Sequence, residues 1–155
     1  MATYDKAAMQ RKCHEAARKI WAKAASIEWI NGRKNALGIM PPIEMNARLT
    51  TTGGRAWINE PEKTPHEYEK IDLSCYIMAN NPWADFERII LVHEICHFIA
   101  GRVYGDYGHG KGFKYVTYMM GGEQGRFHNL NVLKREKPAF GVSHLGTRKR
   151  ITSEV

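Results

Sequence analysis

Apolar residues recur along this chain with a helical period, then a strand period, then a helical period again. Met9, Cys13, Ala16, Ile20, Ala24 and Ile27 fall at three- and four-residue spacing and predict a helix over residues 3–31, closed by Asn31-Gly32. Arg11 and Arg18 lie opposite this stripe, with Lys12, Lys19 and Lys23 on its flank. After a linker from Gly38 to Pro42 the period becomes two. Ile43, Met45 and Ala47 predict one half-buried strand, and Ala56 and Ile58, alternating with Arg55 and Trp57, predict a second. The turn Thr50-Thr51-Thr52-Gly53-Gly54 separates them. An acidic, proline-bearing loop over 59–67 leads to Ile71, Leu73, Cys75 and Ile77, a third alternating run. Three strands with short connections predict a small antiparallel sheet packed on helices.

Asn80-Asn81-Pro82 breaks the third run and opens a long apolar segment over 83–104, WADFERIILVHEICHFIAGRVY. Phe86, Ile89, Ile90, Ala100 and Tyr104 share one face of it, while Leu91, Ile95 and Phe98 cover the other. A helix apolar nearly all round is buried. Phe113, Val116 and Met120 predict a short helix over 111–120. Beyond 125 the periodicity fades into a basic segment with Lys134, Arg135, Lys137 and Arg148-Lys149-Arg150, interleaved with Phe127, Phe140 and His144. The expected fold is α+β in one folded unit over 1–125, followed by a basic extension over 126–155.

Charge sharpens this division. Residues 1–34 carry eight Lys/Arg against three Asp/Glu, residues 126–155 carry seven against two, and the middle carries eight against eleven. Basic ends around a mildly acidic centre fit a polyanionic partner, most often nucleic acid. The bland alternatives are a solvated helix face and a solvated terminus. Phosphate contacts would be sequence-tolerant and salt-dependent, and aromatics among the charges could stack on unpaired bases. Cys13, Cys75 and Cys96 are odd in number and widely spaced, which gives neither a disulfide framework nor a Cys-x-x-Cys metal site. Free thiols and a polar first segment without secretory character point to a reducing, cytoplasmic compartment. No apolar run is long enough to span a bilayer, so no membrane partner is expected, and a monomer is favoured.

The long apolar segment holds the chemistry. It reads His93-Glu94-Ile95-Cys96-His97, with His109 twelve residues further on. Histidines four apart stack on one helix face, about 5–6 Å between Cβ atoms. Both can reach one zinc ion at roughly 2.0–2.1 Å. Glu94 points about 100° around the helix, where it can meet a metal-bound water without being a ligand. Zinc lowers the pKa of such a water and a carboxylate beside it takes the proton, the chemistry of metal-assisted peptide hydrolysis. Two histidines and a glutamate on a buried helix would be costly without partners, and a metal supplies one. Cys96, between the ligands, reads as a small core residue.

A catalytic zinc keeps three protein ligands and one open position. The extended pattern H-E-x-x-H-x-x-G-x-x-H fails, because positions 100 and 103 hold Ala100 and Val103. His109 is the nearest remaining imidazole, among Gly101, Gly105, Gly108 and Gly110, which let the chain turn back after the helix. Glu123 is the competing carboxylate ligand, and His128 and His144 read as surface residues. Met119 or Met120 is a possible hydrophobic floor for the metal, weighed against a core-filling role. Tyr104, Tyr107, Tyr115 and Tyr118 are candidates to steady an oxyanion, with nothing to single one out.

HEICH, then RVYGDYGHGKGFKYVTYMMGG, with ARLTTTGGRAWINEP and IDLSCYIMANNP upstream, resembles the SprT-like metallopeptidases of the Spartan type over about residues 40–125. The resemblance implies a zincin-like protease domain over 1–125. His93, His97 and His109 would hold Zn2+, Glu94 would act as the catalytic glutamate, and the substrates would be proteins trapped on or crosslinked to DNA. The DNA would be single-stranded or disrupted duplex, engaged through the basic first helix and the C-terminal extension. The location would be nucleoid-associated, or nuclear in a eukaryote. Many members carry a cysteine-rich zinc ribbon after the protease domain. No cysteine follows Cys96 in this sequence, so no such ribbon is expected. The rival readings are a DNA-binding protein with a structural zinc and a general peptidase indifferent to DNA.

Overall fold

The computed structural model describes residues 3–125, 127–133 and 149–150. Helix α1 spans Lys6–Ser26 and is capped by Asp5, whose Oδ1 accepts the N–H of Ala8 at 3.0 Å. It is shorter than its apolar pattern predicts. Ile27 is extended, and the indole N–H of Trp29 donates to the carbonyl of Ala24 at 3.1 Å. The buried stripe runs through Cys13, Ala17, Trp21 and Ala24, with Met9, Ala16, Ile20 and Ile27 partly buried beside it.

Strands β1 (Ile43–Asn46), β2 (Gly54–Trp57) and β3 (Lys70–Ser74) form one sheet in the order β1-β3-β2. The sheet is mixed, which corrects the antiparallel expectation. β2 pairs antiparallel with β3, but β1 pairs parallel with it. β1, β2 and β3 follow one another in the chain, yet β1 and β2 do not pair with each other. β3 enters between them, so Ile71 faces both Ile43 and Ala56, and Leu73 faces both Met45 and Gly54. These residues form the buried face, and Ile71 and Leu73 are fully buried. Each such side chain contributes roughly 1.5–3 kcal/mol.

The opposite face carries a polar hub. Asp72 accepts from Arg55 Nε at 3.1 Å and Nη2 at 2.6 Å, from Trp57 Nε1 at 3.1 Å, and from Asn46 Nδ2 at 3.0 Å. One carboxylate on the central strand therefore ties both neighbours to it. Burial alone would raise the Asp72 pKa. The bonds from Arg55, Asn46 and Trp57 outweigh it and hold the group below the usual carboxylate range.

The third alternating run is strand only as far as Ser74. The Ser74 hydroxyl accepts from the N–H of Ile77 at 3.0 Å and starts helix α2, Cys75–Ala79. Cys75 and Ile77 are buried, as the pattern required, but on a helix. The long apolar segment is also subdivided. Helix α3 (Trp83–Phe86) passes into a π-helical turn over Glu87–Leu91 and then into α4, Val92–Tyr104. π-turns of this kind cluster at functional sites. Every residue from Val92 through Gly101 is buried. Helix α5 spans Lys111–Met120, as its period predicts. Short strands β4 (Phe127–His128) and β5 (Lys149–Arg150) pair antiparallel. Apart from these, the C-terminal basic positions, with Phe140 and His144, lie outside the described residues. No helix is long and apolar enough to cross a membrane among the described residues.

Candidate metal centre

The 3.6-residue period of α4 stacks His93 and His97 one turn apart in the core, with Glu94 beside them, and all three side chains are buried. α4 ends at Gly105, whose φ of 68° is left-handed. Glycine adopts that conformation without a Cβ penalty, and the chain reverses there. The reversal carries His109 back over the helix. One ligand atom from each of His93, His97 and His109 lies within 4.8 Å of the others.

The donor atoms fit a metal. His93 Nε2 and His97 Nε2 are 3.2 Å apart. Two tetrahedral ligands at the usual zinc–imidazole distance stand about 3.3 Å apart. His93 Nδ1 donates to the backbone carbonyl of Glu123 at 2.6 Å. A carbonyl only accepts, so the ring proton sits on Nδ1 and the Nε2 lone pair faces His97. Burial pushes the His93 pKa down to about 4, aided by His109 and His128 and opposed by the Glu123 carbonyl. Burial, His93 and His109 push His97 well below the usual imidazole range. Neutral imidazole is the form that binds metal.

Under the three rings lies Phe113. Its ring stacks on His97 at 4.2 Å between centroids and meets His93 and His109 edge-on at 5.0 and 4.9 Å. The residue in the position of a hydrophobic floor, one of two roles weighed for Met119 or Met120, is Phe113, four residues after His109 on the first turn of α5. Met120 is a core residue.

Glu94 faces the sheet. A Cβ built on Gly54, at the start of β2, would stand 3.0 Å from Glu94 Cγ. β2 is the edge strand on that side of the sheet and packs against α4. Which strand lies beside the histidine helix was not legible in the sequence, where Gly53-Gly54 read only as part of a turn.

Several other expected residues take different roles. The Glu123 carboxylate does not join the histidines; it pairs with Arg88 at 3.4 Å, and the residue serves the site through its carbonyl. His128 is not a surface residue. It is 4 % exposed, with Nε2 donating to the Thr51 carbonyl at 3.1 Å and Nδ1 accepting from Leu130 N–H at 3.1 Å. Cys96 is buried, and burial, with Glu94 second, raises its pKa. Tyr104 donates its hydroxyl to the Ile30 carbonyl at 2.8 Å, Tyr115 packs edge-on against Trp29 and Tyr104, and Tyr118 is 75 % exposed. The Tyr107 ring lies against Gly101.

The fold and site define an α+β domain with a tri-histidine cluster, two buried rings and one half-buried, arranged to bind a metal ion. The SprT-like family model matches residues 33–135, and the chain belongs to that family, whose domain is of metallopeptidase type. No curated protein and no solved structure matches the chain.

Proposed function

We propose that this chain is a zinc-dependent endopeptidase of the zincin type that cleaves proteins bound or crosslinked to DNA. The observation that carries the reading is the convergence of His93, His97 and His109 beside the buried Glu94, at the start of an edge strand. Zinc held by the three imidazoles would supply a Lewis acid and lower the pKa of a coordinated water. Glu94 is the general base that takes the proton of the attacking water and returns it to the leaving amine. The outer edge of β2, which pairs with no strand among the described residues, holds the substrate as an added strand, so recognition runs through main-chain hydrogen bonds with little sequence preference.

DNA is the proposed partner because charge collects at both ends of the chain. Arg11 and Arg18 are exposed on α1. Lys12 lies over the Trp83 ring at 4.6 Å, and Lys19 reaches Glu15 at 3.9 Å, so part of the basic face is already engaged within the protein. A structural zinc would have four protein ligands. The cluster among the described residues has three, which favours the catalytic reading.

The test is proteolysis of a basic DNA-binding protein, with and without single-stranded DNA, by the parent and by Glu94→Gln. Cleavage by the parent and a loss of at least about 10²-fold in the variant, with zinc retained, is the expected result. Equal rates would refute the mechanism, and cleavage indifferent to DNA would leave a general peptidase.

A further inference from the structure

The loop that carries His109 is built around one carboxylate. Asp106 Oδ1 accepts the N–H of Gly108 at 3.0 Å, and Oδ2 accepts the N–H of Phe113 at 2.9 Å. Its own backbone N–H donates to the Ala100 carbonyl at 3.1 Å, which anchors it to α4. Gly108 directly precedes His109, and Phe113 is four residues beyond it, so the two tethered amides bracket the histidine.

The neighbouring residues are fitted to this carboxylate. The N-cap of α5 is Gly110, which has no side chain to cap the helix. Asp106 satisfies the otherwise orphaned Phe113 N–H from outside the helix. A Cβ on Gly110 would lie 2.9 Å from Asp106 Oδ2, and one on Gly112 would lie 3.0 Å from Asp106 Cβ. Glycine stands at both positions where the Asp106 side chain fills the space. Phe113, the residue held by Oδ2, is also the ring against all three histidines.

We propose that Asp106 is the positioning residue of the metal centre. Its carboxylate fixes the turn that presents His109 on both sides, at the Gly108 and Phe113 amides. The inference rests on the reading that His93, His97 and His109 hold a metal. Asp106 is not itself in the metal-compatible cluster and acts through His109. The competing account is that Asp106 only caps α5 and contributes stability.

A double-mutant cycle in zinc affinity separates the two. Zinc dissociation constants are measured by competition with a chelator for the parent, Asp106→Ala, His109→Ala and the double variant. Thermal unfolding of the metal-free forms checks that each is folded. Asp106→Ala is expected to weaken zinc by about 10–100-fold, the range for residues that orient a ligand. On the His109→Ala background it should add less than about twofold, the scatter of independent sites. Asp106→Asn keeps one acceptor oxygen and should fall between parent and Asp106→Ala; it carries the test if the alanine variant does not fold. With cobalt in place of zinc, the visible spectrum of Asp106→Ala should shift toward that of His109→Ala, a change that lost helix capping alone would not produce. If His109→Ala weakens zinc but Asp106→Ala does not, the metal reading stands and the inference fails. The same holds if Asp106→Ala costs as much with His109 absent as with it present. If His109→Ala leaves zinc affinity unchanged, the metal reading fails and this inference fails with it.

Discussion

The backbone carbonyl of Glu123 accepts a hydrogen bond from His93 Nδ1 at 2.6 Å, while the Glu123 carboxylate turns away to Arg88 at 3.4 Å. A residue whose side chain resembles a ligand therefore serves the site with its main chain. What brings that carbonyl into place is the Gly121-Gly122 turn after α5. A Cβ on Gly122 would lie 2.8 Å from Val92 Cγ1. Val92 is buried and β-branched, so it yields little. Gly122→Ala is expected to push the carbonyl off His93 and weaken zinc by about tenfold. The Arg88–Glu123 pair is half exposed and contributes about 0–1 kcal/mol, so Arg88→Ala should leave zinc affinity as it is. Chelator competition on both variants checks the contrast. Equal losses would assign the effect to the ion pair.

Gly54 meets Glu94 from the sheet. A Cβ there would lie 3.0 Å from Glu94 Cγ, 3.0 Å from Leu73 Cδ2 and 3.1 Å from the Asp72 carbonyl oxygen. The carbonyl belongs to a paired strand and cannot retreat, so Glu94 or the edge strand must shift. Gly54→Ala is expected to lower kcat by about 10²-fold, the cost of misplacing a reacting group by about 1 Å. Zinc content should match the parent. Measuring kcat alongside metal stoichiometry decides the matter, and an unchanged kcat would remove Glu94 from the chemistry or Gly54 from its support.

Asp72 links stability to pH. Its pKa is lower in the folded protein than in the unfolded chain, so its contribution is complete above the ordinary carboxylate range. That contribution is lost as pH falls through the lowered folded value. Asp72→Ala removes charge-assisted bonds to a half-buried guanidinium and is expected to cost about 2 kcal/mol at neutral pH. The gap between parent and variant should shrink in acid. Urea unfolding at pH 7 and pH 3 measures it, and a gap that does not change with pH would contradict the linkage.

Metal removal separates a catalytic from a structural zinc. The core built from α1, the sheet and α4 is apolar and continuous without the histidines. The chelated protein should keep its far-ultraviolet circular dichroism and unfold cooperatively. Its Tm should fall by the binding linkage alone, worth about 2.7 kcal/mol at a zinc concentration 100 times Kd. Collapse of the helical signal on chelation would instead mark a folding zinc.

Much of the site was legible because it is local. Four-residue spacing dictates that His93 and His97 share a face, and the glycines after α4 signalled the reversal that returns His109. α5 has the bounds its period predicts, since a strongly amphipathic short helix between two glycine turns has few alternatives. α1 was overestimated at its end because its apolar stripe continues past Ser26, where Ile27 turns extended and the Ala24 carbonyl accepts from both Ile27 N–H and the Trp29 indole. The alternation through Ile77 concealed α2, because Cys75 and Ile77 are buried in a strand or in a single helical turn. Only the Ser74 hydroxyl distinguishes the two.

By itself the sequence determined which residues can meet within a helix turn or a short loop: the histidine pair, the glutamate beside it, and the third imidazole past a glycine reversal. Tertiary structure alone decided that β3 lies between β1 and β2, that β2 borders Glu94, and that Phe113 lies under the rings. It also placed the Glu123 carbonyl and the His128 ring on partners 30 and 77 residues away in the chain. Neighbours along the chain are set by backbone geometry and leave a periodic trace. Partners distant in sequence are chosen by which apolar faces bury one another and which polar groups must then be satisfied, and that choice has no period to read.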